Sequence, residues 1–144
     1  MNAALELHDL TRLNQAPLDA MARLGASLEP RDRTSQEAFS RQVAGVHALL
    51  KQTYQAAALL AGRCGDCEAS SRVWKSMGDY AERVLVLLSA LKDRNPQCGT
   101  AELHDLALDY RAAADKRYQA DLEATLCQKT PLPEGLLPPL TSFP

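Results

Sequence analysis

The chain has 144 residues, enough for one domain of ordinary size, and its 46% hydrophobic and 24% charged residues suit a globular protein. With 16 Lys and Arg against 18 Asp and Glu, a net charge of −2, it lacks the basic field that nucleic-acid binding requires. Its apolar runs are too short to span a membrane and no basic-plus-apolar leader opens it, so we expect no membrane insertion and a reducing, cytoplasmic setting with free cysteine thiols.

Aromatic residues are few, and Leu and Ala fill the apolar positions. Both are strong helix formers, while β-branched residues are sparse, which predicts an all-α fold with a thin core. The first helical segment covers residues 3–28. Leu7, Leu10 and Leu13 repeat at helical spacing, as do Leu18, Met21, Leu24 and Leu28, and Pro17 between the two sets predicts a kink. Residues 28–33 read as a loop. The second segment starts at Thr34, where Thr34-Ser35-Gln36-Glu37 matches a capping box. Phe39, Val43, Val46, Leu50, Thr53, Ala57 and Leu60 then form one packing seam, and Gly62 is expected to stop the helix in a left-handed cap.

The third segment runs over 66–93 with Asp66 as N-cap. Val73, Met77, Tyr80, Val84, Leu87, Leu88 and Leu91 share its face, and Asn95-Pro96 ends it. The fourth runs over 100–128, with Leu103, Leu106, Tyr110, Ala114, Tyr118, Leu122 and Leu126 as its stripe. The last fourteen residues, PLPEGLLPPLTSFP, contain five prolines and cannot form a regular helix. The sequence therefore predicts an elongated up-and-down four-helix bundle over residues 1–130, with a kinked first helix, and a proline-rich tail over 131–144.

Cys64 and Cys67 lie between glycines in AGRCGDCEAS, a pattern shared by metal knuckles, redox pairs and plain turns. In an up-and-down bundle Cys98 and His104 sit about 40 Å away at the other end, which leaves Cys64, Cys67 and Cys127 without a fourth zinc ligand. Redox CxxC pairs belong to a strand–helix setting, and no strand is predicted. A turn is the expected reading, with no metal and no cofactor. ELHDL occurs at 6–10 and again at 102–106, but its Glu and His are two residues apart and point to nearly opposite sides of a helix, unlike the Glu-x-x-His of di-iron bundles. His47, followed by Lys51 on the same helix, invites comparison with histidine phosphotransfer bundles.

The function expected is non-enzymatic: a helical adaptor or subunit of a larger complex, binding other helical proteins as a hetero- or homo-oligomer. Its partner surface is expected on the shoulder of the third segment, at Trp74, Leu85 and the stranded Val86, and on the apolar tail residues Leu136, Leu137, Leu140 and Phe143. The alternatives are a small bundle enzyme or phosphotransfer carrier using His47, and a thiol- or metal-sensing bundle using Cys64, Cys67 and Cys127.

Overall fold

The computed structural model describes residues 2–29 and 31–129, so the tail residues Leu136, Leu137, Leu140 and Phe143 lie outside it. Five helices follow in chain order: α1 (Ala3–Leu13), α2 (Gln15–Ala26), α3 (Arg33–Gly62), α4 (Cys67–Arg94) and α5 (Ala101–Lys129). α1 and α2 are the two limbs of one bent helix, which makes the architecture the expected all-α four-helix bundle. The three long helices run about 42–45 Å at 1.5 Å per residue.

The bend falls at Asn14 rather than at Pro17. Pro17 occupies the third position of α2, where no backbone N–H is needed. In a continuous helix its ring would collide with the carbonyl four residues earlier, that of Leu13, and Leu13 is where α1 ends. Asn2 caps α1, its Oδ1 accepting from Ala4 N at 3.0 Å and Leu5 N at 3.3 Å.

Two expected caps are corrected. α3 is capped by Asp32, not Thr34: Asp32 Oδ1 accepts from Thr34 N at 3.0 Å and Ser35 N at 3.3 Å, and Oδ2 accepts from Ser35 Oγ at 2.8 Å. A carboxylate two residues upstream takes the N–H groups that a cap must satisfy, so the helix starts one residue early. At the other end Gly62 is the last helical residue and Arg63 follows in right-handed geometry; among the described residues none has a positive φ. Arg63 N donates to Leu60 O and Cys64 N to Ala61 O, which tightens the last turn instead of reversing it.

α4 is the centre of the bundle and touches every other helix. Val73, Met77, Tyr80, Val84, Leu88 and Leu91 are buried as the stripe predicts, but so are Ser71, Trp74, Ala81 and Leu85. Trp74 is 4% and Leu85 6% exposed, so the shoulder expected to bind a partner is core. A helix with neighbours on several sides needs apolar residues beyond one stripe. Val86 alone of that trio stays exposed.

α5 packs antiparallel on α4. Ser70 Oγ donates to Asp121 Oδ2 at 2.6 Å, the Cβ of a residue at Gly78 would meet Ala114 Cβ at 3.8 Å, and Arg111 pairs with Glu82. α5 meets α3 more sparingly, through Tyr54, which stacks on Tyr110 with ring centroids 4.3 Å apart and lies 5.6 Å from the Trp74 ring. Arg117 closes this aromatic cluster, its guanidinium 4.9 Å above Trp74. Within α5 the expected Leu126 is exposed, while Ala107 and Thr125 are buried against the bundle.

Candidate interaction surface

The Cys64–Cys67 stretch is a turn. α3 ends two residues before Cys64 and α4 begins at Cys67, with Asp66 Oδ1 accepting from Ala69 N at 2.7 Å. The Cys64 thiol donates to Leu60 O at 3.3 Å. Burial pushes its pKa up, Asp66 and Asp121 add to the shift, and Arg63 opposes it, so the group is held as a thiol. Cys98 is buried at the opposite end, near Thr100. Among the described residues no three His, Cys, Asp or Glu side chains gather closely enough to hold a metal ion.

His47 is half-buried and lines a groove of about 510 Å³ between α3 and the start of α5, together with Ser40, Val43, Glu102 and Leu103. The two ELHDL copies open helices that start at opposite ends of the bundle. Glu6 of the first pairs with Arg63 at 3.0 Å; in the second, His104 Nδ1 lies 3.8 Å from its neighbour Asp105.

A polar cluster that the sequence does not advertise sits at the bend. Asn14 is buried, and its Nδ2 donates to Thr53 Oγ1 at 2.8 Å; Thr53 Oγ1 in turn donates to Leu49 O at 2.7 Å. The Tyr80 hydroxyl is enclosed beside this pair but closes no hydrogen bond of good geometry. Burial raises the Tyr80 pKa, and Asn14, Arg83 and Thr53 partly offset it.

The same contacts fix the register of α1 against α3. Glu6 meets Arg63 and Asn14 meets Thr53, so the helices run antiparallel. On a helical wheel at 100° per residue, Leu13 lies within about 20° of Glu6, and Leu59 within about 40° of Arg63. Leu13 and Leu59 therefore stand on the two outer banks of one seam, about 6 Å apart along the axis. Half-buried Leu10 and Ala56 lie between them along the axis, each turned about 60° further towards the core. Leu13 is 75% and Leu59 71% exposed, the two most exposed large apolar side chains described. Neither stands out in the sequence: Leu13 reads as the third member of the Leu7–Leu10 repeat, and Leu59 as one more leucine beside the α3 seam.

No described helix is long and apolar enough to cross a membrane. Comparison of the chain with protein-family models, with curated proteins and with solved structures finds no match.

Proposed function

We propose that this chain is a non-enzymatic helical adaptor or complex subunit that docks an amphipathic helix of a partner protein on the α1–α3 seam. The observation that carries the reading is the exposure of Leu13 and Leu59, each more than 70%, on the side of the α1–α3 seam where Glu6 meets Arg63. Exposed apolar side chains scattered singly are ordinary, but two that share a seam form a patch. Their axial offset of about 6 Å equals four residues of a helix, so a partner helix with apolar residues at i and i+4 matches it. Asp9, exposed and about 40° from Leu13 on the wheel, and the Glu6–Arg63 pair supply a rim of mixed charge.

The test is site-specific photo-crosslinking in a native extract, with the reactive residue at position 59 and, as control, at position 86. Adducts from position 59, abolished by Leu13→Glu, support the seam. Adducts from position 86 alone transfer the function to α4. Absence of adducts from both removes the adaptor reading. Because both leucines are exposed, Leu13→Glu with Leu59→Glu should change stability by no more than about 0.5 kcal/mol per site.

A further inference from the structure

α1 and α2 are joined through one residue and both pack on α3 and α4, but they differ in how many large side chains they bury completely. α2 buries Leu18 and Met21 and seats Gly25 against Leu91 and Phe39. It is also tied by Gln42 Nε2 donating to Pro17 O at 3.2 Å. α1 buries one large apolar side chain completely, Leu7, with Ala3, Ala4 and Leu10 half-buried against the core beside it. Its other buried residue is Thr11, whose hydroxyl is satisfied inside the helix by the His8 carbonyl at 2.9 Å. Two side-chain bonds tie this end of the chain to the bundle, the exposed Glu6–Arg63 pair and the hinge bond from Asn14 to Thr53. Beneath the hinge lies the Tyr80 hydroxyl, which is enclosed without a well-formed hydrogen bond and gains one when water enters. Pro17 presets the first turn of α2, so that helix keeps its start when α1 leaves.

We propose that α1 is a detachable strap, which swings about Asn14 as one unit and uncovers the α3–α4 face while α2–α5 remain folded. Stability differs between segments of a fold, and the segment with the fewest buried apolar contacts opens first.

Native-state hydrogen exchange on the full chain, read residue by residue by NMR at low denaturant, tests this. The amides from Leu7 to Leu13 should exchange through one common opening, about 100-fold faster than those of Met21 in α2 and Val84 in α4. Protection that climbs steadily from Leu7 towards Asn14 means end fraying and overturns the proposal. A variant remote from the strap separates local from global opening. Ala114→Gly in α5 should speed exchange at Val84 about 10-fold while leaving the α1 amides within about 2-fold of their original rates. If the α1 amides accelerate together with Val84, α1 opens only when the whole bundle unfolds, and there is no strap.

Discussion

Gly25→Ala asks the most demanding question of the packing between α2 and its neighbours. A methyl group at this position would overlap Leu91 Cδ1 and stand 2.8 Å from both Leu91 Cδ2 and Phe39 Cε1. Leu91 and Phe39 are themselves enclosed, so neither side chain can swing into solvent to make room. Overpacking of this kind costs about 1–3 kcal/mol. Against it stands the gain from replacing glycine in a helix, about 0.5–1 kcal/mol and at its lower end here, because Gly25 is the penultimate residue of α2. The net expectation is a loss of about 1–2 kcal/mol. Gly45, in the middle of α3, is the matched control: an added Cβ there meets nothing within 4 Å. Gly45→Ala should therefore stabilise by about 0.5–1 kcal/mol. Urea denaturation followed by circular dichroism at the helical minimum measures both, and thermal melts should move in opposite directions by about 2–4 °C per kcal/mol. Leu91→Ala makes room on one side of Gly25, so the cost of Gly25→Ala should shrink in that background. Equal shifts at Gly25 and Gly45 would refute the close approach of α2 to Leu91 and Phe39.

Two further outcomes follow from burial and from charge. Trp74→Ala should destabilise by about 3–5 kcal/mol, since it empties a site shared with Tyr54 and Arg117, and Val84→Asp should unfold the chain by burying an unpaired charge; a folded Trp74→Ala monomer of unchanged stability would restore that side chain to a binding role. Bonds from Ser35 hold the Asp32 carboxyl below the usual carboxylate range, so its contribution is present above the unfolded-state pKa near 3.8 and is lost as the pH falls through the lower folded value; Asp32→Ala should flatten that part of the acid-denaturation curve, whereas Thr34→Ala should leave it unchanged.

The long helices were legible because their leucines recur at one period. The α3 seam from Phe39 to Leu60 is buried except for the half-buried Val43, and the α4 stripe from Val73 to Leu91 except for Leu87. Legibility ended where a helix has neighbours on several sides. A single-face wheel puts Trp74 and Leu85 on a shoulder, but α4 is surrounded, and its shoulder is interior. The reverse holds for α5, whose main neighbour is α4: Leu126 belongs to the periodic stripe and still faces out. The candidate seam was hidden for a geometric reason. Each three-residue step from Leu7 turns the side chain back by about 60°, so by Leu13 it has left the core by about 120°. That exposed side chain becomes part of an apolar seam only beside Leu59, forty-six positions later, and the register that joins them rests on Asn14 and Glu6, which no periodicity marks.

The position of α4 bears on how the chain is made. Residues up to Gly62 emerge from the ribosome as three helices whose leucine faces have no central partner, because the helix that contacts all of them is encoded by residues 67–94. Until that stretch clears the exit tunnel the nascent chain presents the sticky surface that general chaperones bind. Products ending before Arg94 should therefore be rapidly degraded, and a stop early in α5 should be too, since it strips the helix that packs most extensively on α4 and closes the cluster around Trp74.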